Sequence, residues 1–158
     1  MRRSSQRFLT AVLVIGLTAC SGDDDPTGPG DIIPTNGTMS ATIDGNTWTA
    51  IQIAGVNNGG VVAISGSDAT LLAVGFAFVG QAAGTYTIGP ASAANASVID
   101  NLTTTWTANS FQGSGTITVS TLTATGASGT FSYTAPLTST TGTPATRVVT
   151  NGTFNVTF

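Results

Sequence analysis

The sequence predicts an all-β domain over residues 36–158, an antiparallel β-sandwich or flattened barrel of about nine meandering strands. From Gly37 onward, apolar and polar residues alternate with a period of two, as they do in strands that bury one face. Gly, Asn and Pro interrupt this alternation every 8–12 residues or so, the spacing typical of sandwiches and barrels. No segment keeps the 3.6-residue period of a helix, and the short connections favour antiparallel hairpins over a parallel sheet.

The first strands surround a tight turn. Met39, Ala41 and Ile43 alternate with polar residues, and Asp44-Gly45 then supplies a favoured hairpin turn. Trp48 begins the next strand. The apolar phase shifts between Trp48 and Ile51, which predicts a β-bulge.

The most hydrophobic stretch is residues 71–79. One face carries large apolar side chains, at Leu72, Val74, Phe76 and Phe78. The other face carries only Ala73, Gly75 and Ala77, which predicts a central strand with something packed closely over its second face.

Later segments alternate in the same way, and their apolar members are Tyr86 and Ile88, Leu102 and Trp106, Ile117 and Val119, Phe131, Tyr133 and Ala135, and Phe154, Val156 and Phe158. Residues 91–95 fit either a loop or one short helical turn. The final strand is expected to lie in a sheet, beside the first strand.

Composition excludes several classes of function. Only 7% of the 158 residues are charged, and the chain contains no Lys, Glu or His. Arg147 is the only basic residue after Cys20, whereas a nucleic-acid partner requires many Lys and Arg contacts to phosphate. The single cysteine excludes an intramolecular disulfide.

The same composition argues against an enzyme. A Ser-His-Asp triad lacks its base, and a zinc site lacks His and Cys ligands. Glycosidase chemistry requires two of Asp44, Asp68 and Asp100 to converge, and two of these lie in turns where Asp is favoured for backbone reasons. We therefore expect no catalytic residue, no cofactor and no metal.

A few residues are candidates for binding. Trp48 is expected in the core, and Trp106 is expected there too, with the alternative that it forms a ligand platform for a sugar. Arg147, in a late loop, is expected to be solvated. The Thr-rich stretches around Thr103, Thr105, Thr107, Thr116, Thr118 and Thr121 fit a wet sheet face or, alternatively, a flat hydroxyl array that binds ice or glycans.

Residues 1–19 have the anatomy of a signal peptide, with Arg2, Arg3 and Arg7 before an apolar stretch. Leu17-Thr18-Ala19-Cys20 closely resembles the bacterial lipobox. That resemblance implies cleavage before Cys20 and acylation of this cysteine, for example with palmitate, as the attachment to a membrane. A cytosolic protein and a plain secreted protein stay open as alternatives.

Residues 20–35 form an acidic, Gly- and Pro-rich stretch that predicts a disordered tether. Ser21 follows the cysteine, and the run Asp23, Asp24 and Asp25 resembles the export signals of some surface lipoproteins. We expect an outer-membrane lipid anchor with the domain on the periplasmic or the cell-surface face. The alternative for the acidic run is a solvated spacer.

The segment from Met39 to Trp48 also resembles the opening of a group of uncharacterised bacterial lipoproteins, written M-x-A-x-I-D-G-x-x-W. The resemblance implies an envelope lipoprotein with an all-β domain and transfers no site. We expect a non-enzymatic binding or adhesion module for a glycan, an envelope protein or a small apolar ligand. The alternative is a structural or accessory lipoprotein that packs on a protein partner and has no soluble ligand.

Overall fold

The computed structural model describes residues 36–138 and 144–158, so Cys20 and the predicted signal peptide and tether lie outside the described residues. The described part is all-β. Its strands are β1 (Gly37–Ile43), β2 (Asn46–Thr49), β3 (Gln52–Asn58), β4 (Val61–Ser67), β5 (Leu72–Val79), β6 (Gly84–Ile88), β7 (Asn95–Asp100), β8 (Thr104–Ala108), β9 (Ser114–Thr123), β10 (Gly126–Pro136) and β11 (Thr146–Thr157).

The strands form two antiparallel sheets that pack face to face. Sheet 1 has the order β2-β1-β11-β10-β9-β6, and sheet 2 has the order β3-β4-β5-β7-β8. Neither sheet closes on itself, so the fold is a sandwich and the barrel alternative is wrong. The last strand pairs with the first, as expected, with Met39 opposite Phe154.

The structure contains two more strands than the nine predicted. Trp48 lies in β2 of sheet 1, whereas Ile53 lies in β3 of sheet 2. The phase shift between Trp48 and Ile51 therefore marks a crossing between sheets and not a bulge within one strand. The second addition is β7, whose inward residues Ala96 and Val98 are too small to stand out in the sequence, and where Ile99 breaks the alternation.

The core forms where the inward faces of the sheets meet. Phe76 of sheet 2 lies between two rings of sheet 1, with ring centroids 5.0 Å from Phe131 and 5.1 Å from Phe154. The predicted inward face of β5 is confirmed, because Val74, Phe76 and Phe78 are buried and Leu72 is partly buried against the same core. Burying a ring of this size contributes about 1.5–3 kcal/mol, so this cluster is a major source of stability.

Two amphipathic aromatics also tie the sheets together by hydrogen bonds. Trp48 Nε1 donates to the carbonyl of Leu72 at 3.1 Å, and the Tyr133 hydroxyl donates to the carbonyl of Ser97 at 2.7 Å. Burial raises the pKa of Tyr133 above its ordinary value, because the phenolate cannot be solvated there. The prediction that Trp48 is a core residue is confirmed, since its side chain is 3% exposed.

The sandwich has two distinct ends. Strand β1 runs from Gly37, next to Asn36, to Ile43, and the Asp44-Gly45 turn follows at the opposite end. We call the first the Asn36 end and the second the aspartate end. Arg147 contacts both Asp44 and Asp100, so Asp100 also lies at the aspartate end. The turn after Asp68 lies beside Asp100, because Leu72, which follows that turn, pairs with Asp100.

Candidate functional site

A shallow groove follows the outer face of sheet 2. It consists of two adjoining cavities of about 290 Å³ and about 450 Å³, which share Ala54 and Ser65 in their walls. We call this the sheet-2 groove. It runs along β4 and β5 toward the aspartate end, where Leu102 forms part of its wall.

The sequence makes this groove by placing small side chains at the outward positions from Ala63 to Ser67 of β4 and from Ala73 to Ala77 of β5. Across the sheet, Gly75 of β5 lies opposite Ser65 of β4 and Ser97 of β7. The side chains rise higher toward the margins, at Val56 and Asn95. A row of Ala, Gly and Ser between larger neighbours therefore leaves a depression that exposes the pleated backbone.

The expectation of close packing over the second face of β5 is wrong within the described residues. Ala73, Gly75 and Ala77 line the groove, and none of the described strands covers them. The small residues thus shape an open surface instead of admitting another layer of the same fold.

Arg147 is the centre of a charged cluster at the aspartate end. Its Nη1 lies 2.7 Å from Asp44 Oδ2, and its Nη2 lies 3.5 Å from Asp100 Oδ2. Its side chain is 17% exposed, and Nε is buried without a hydrogen-bond partner among the described residues. The expectation of a solvated arginine in a loop is wrong, because Arg147 lies in β11 and links Asp44, in the turn after β1 of sheet 1, to Asp100, the last residue of β7 in sheet 2.

Trp106 lies beneath this arginine. The guanidinium carbon of Arg147 is 4.6 Å from the ring centroid, a cation–π contact, and Trp106 Nε1 donates to the carbonyl of Pro144 at 2.7 Å. The Trp106 side chain is 1% exposed, which agrees with the core interpretation. In this conformation the ring offers no open face on which a sugar stacks.

Asp44 and Asp100, two of the three carboxylates of the domain, lie close together, as glycosidase chemistry requires, but both contact the Arg147 guanidinium. Asp44 Oδ1 also accepts from the Val148 amide at 2.8 Å, so both its oxygens are bonded. Asp68 is used in its own turn, where Oδ1 accepts from the Thr70 and Leu72 amides at 2.8 and 3.0 Å. Asp44, Arg147 and Asp100 therefore form an ion-pair network. Within the described ranges, no three His, Cys, Asp or Glu side chains lie close enough together to hold a metal ion.

Two leucines at the aspartate end have an unusual conformation that the sequence reasoning missed. Leu71 and Leu102 have φ angles of 64° and 59°, and they are 52% and 76% exposed. The prediction that Leu102 lies in a strand is wrong, since Asn101 and Leu102 are the central residues of the turn between β7 and β8. The dipeptide Asn101-Leu102 is the only sequence signal, because Asn favours such turns.

The Thr-rich stretches belong to different surfaces. Thr105 and Thr107 lie on β8 of sheet 2, whereas Thr116 and Thr118 lie on β9 of sheet 1. The outer face of sheet 1 does carry an unbroken row of hydroxyl side chains across all six strands, formed by Thr85, Thr118, Thr130, Thr153, Ser40 and Thr49. Two neighbouring pairs in this row are within hydrogen-bond distance of each other, so the hydroxyls partly satisfy themselves.

Within the part of the chain that the structure describes, no helix is long and apolar enough to cross a membrane. No curated protein and no solved structure matches the chain. Residues 35–156, which include every described strand almost to its end, match the family described as a domain of unknown function, DUF6252. That match covers well over half of the chain, and this protein therefore belongs to the DUF6252 family.

Proposed function

We propose that this protein is an outer-membrane lipoprotein, anchored through acylated Cys20, whose sandwich is a non-enzymatic binding or adhesion module. The lipobox-like Leu17 to Cys20 and the acidic tether support the anchor. The observation that carries the binding role is the sheet-2 groove, a preformed concave surface along the outer face of the sheet.

The chemistry of the groove favours an uncharged or apolar contact. Its walls are Ala, Gly, Ser and aliphatic residues together with Phe76 and two amides, Gln52 and Asn95, and none of the lining residues carries a charge. A glycan or the surface of an envelope protein fits such a groove, because both offer a ridge and hydrogen-bonding groups. Nucleic acid does not fit, since the one arginine of the domain is already paired with Asp44.

A second candidate is an accessory lipoprotein that packs on a protein partner without a soluble ligand. The edge of sheet 2 favours this candidate, because the edge strand β3 (Gln52–Asn58) is seven residues long and contains neither a charged residue nor a proline. Edge strands without charge or proline readily pair with another strand. The two candidates differ in whether the ligand occupies the groove or the edge.

Filling the groove separates these candidates. Ser65 is exposed on β4 in the middle of the groove, so Ser65→Trp should block it without disturbing the core. Thr130→Trp on the outer face of sheet 1 is the matched control. The measurement is co-sedimentation of the acylated full-length protein with purified peptidoglycan sacculi and with outer-membrane vesicles stripped of this lipoprotein.

A groove-binding module loses binding to at least one of these envelope preparations in Ser65→Trp and keeps it in Thr130→Trp. Equal binding by wild type and Ser65→Trp would reject the groove. Loss of binding only when β3 carries Ala54→Pro or Val56→Pro would favour the accessory role through the edge strand.

A further inference from the structure

The strongest unexplained feature is the pair of exposed leucines, Leu71 and Leu102. Both have positive φ, a region that branched side chains avoid and that Gly or Asn occupy far more readily. The packing of a buried leucine side chain offsets the free-energy cost of this backbone strain, but these two side chains are mostly exposed. Nothing among their described neighbours explains why leucine occupies either position.

The two leucines lie at the same end of sheet 2, and Leu102 lines the groove. Leu72, directly after Leu71, pairs with Asp100, and Leu102 follows two residues later. Ile51 is also exposed at this end, and its amide donates to the carbonyl of Ser67 at the end of β4. We call Ile51, Leu71 and Leu102 the apolar rim, since these exposed aliphatic residues lie at the aspartate end, where Leu102 lines the sheet-2 groove.

All charged side chains of residues 36–158 lie at the same end of the sandwich as this rim. This part of the chain contains three Asp, one Arg and no Lys, Glu or His, so its side chains carry 1 − 3 = −2. Arg147 is committed to Asp44 and Asp100, and Asp68 has no cationic partner among the described residues. An apolar rim in a negative field selects a partner with positive charges.

We propose that the apolar rim and the adjoining groove dock a protein partner that presents aliphatic side chains flanked by Lys or Arg. The proposal rests on the proposed binding function and names the partner class. Asn36, the first described residue, lies at the opposite end of the sandwich from this rim. A second copy of this chain is a poor occupant, because two aspartate ends repel each other.

The test uses the acylated full-length protein in phosphatidylcholine nanodiscs and a fluorescein-labelled peptide, Lys-Leu-Lys-Leu-Lys, with Glu-Leu-Glu-Leu-Glu as the charge-reversed control. Fluorescence anisotropy above that of empty nanodiscs should rise with the lysine peptide only. Leu102→Asn should weaken this binding about tenfold or more, the effect of losing one well-buried leucine. Asp68→Asn should weaken it less, and added salt should weaken it in the wild type.

The same variant gives a second readout, independent of any ligand. Asn accepts a positive φ more easily than leucine, so Leu102→Asn should raise the thermal midpoint of the protein. A lowered midpoint would mean that leucine serves the fold, and it would overturn the proposal. Thr130→Asn, on the outer face of sheet 1, should leave peptide binding unchanged.

Three further outcomes overturn the proposal. They are unchanged affinity in Leu102→Asn, equal binding of the glutamate peptide, and leucine-dependent clustering of the nanodiscs, which would mean that the rim inserts into a bilayer. If one of these occurs while Ser65→Trp still abolishes binding to sacculi or vesicles, the groove function stands and only this partner class is rejected.

Discussion

Arg147 should stabilise the sandwich mainly through Asp44, and double-mutant cycles measure this directly. The Nη1 to Oδ2 distance to Asp44 is 2.7 Å, whereas the distance from Nη2 to Asp100 is 3.5 Å. A hydrogen bond to a charged group contributes about 1.5–3 kcal/mol, and exposed ion pairs contribute about 0–1 kcal/mol. Asp44 is 27% exposed and Asp100 is 36% exposed, so solvent screening reduces both values.

We expect a coupling free energy of about 1 kcal/mol between Arg147→Met and Asp44→Asn, and under about 0.5 kcal/mol between Arg147→Met and Asp100→Asn. Asn at position 44 keeps an oxygen for the Val148 amide, so the first cycle isolates the ion pair. Arg147→Met alone should cost about 1–2 kcal/mol, part of it from the cation–π contact with Trp106. Urea unfolding of the six proteins (wild type, three single variants and two double variants) provides the values. Equal couplings, or a larger coupling to Asp100, would refute this reasoning.

Three other predictions follow from the same structure. Trp48→Ala should destabilise the protein by about 3–5 kcal/mol in urea unfolding, because a 3%-exposed side chain leaves a cavity. Because burial raises the pKa of Tyr133, the stabilisation by its protonated hydroxyl is present below the unfolded pKa of about 10 and is lost as pH rises above it. Tyr133→Phe removes the hydrogen bond to Ser97, so it should lower the free energy of unfolding by about 1 kcal/mol near neutral pH and make that free energy fall less at alkaline pH. If the acidic run is a surface-sorting signal, protease shaving of intact cells should degrade the wild-type domain, and replacing Asp23, Asp24 and Asp25 with Ser should restore protection without altering acylation.

Period-two alternation was sufficient to predict the buried faces of the large strands. Val74, Phe76 and Phe78 are inward because successive strand residues point to opposite faces, whatever the partner strand is. The same rule failed at Leu102, which alternates with Trp106 in the sequence but lies in a turn with positive φ. Local alternation does not reveal where a strand ends when the turn contains an apolar residue.

The charged cluster could not be predicted because its members are far apart in the chain. Asp44 and Arg147 are separated by 103 positions and meet only because β1 pairs with β11. The sequence predicts that the last strand lies beside the first, but it does not encode the register that places Ile43 opposite Val149 and so brings Arg147 to the Asp44 turn. The sequence predicted one part of the sheet-2 groove, the small residues on one face of β5. It could not predict that this face is open, because whether another layer covers it depends on the whole fold.

The proposed function depends first on acylation of Cys20, and one measurement tests this most directly. Cells that express the wild-type protein are labelled with an alkyne fatty acid, and the protein is then isolated, coupled to a fluorophore and separated by size. We predict label on the wild type, and in Cys20→Ala the loss of both the label and the shift that signal-peptide removal causes. An unlabelled wild type, or a labelled Cys20→Ala protein, would contradict the anchor and with it the proposed role at the membrane.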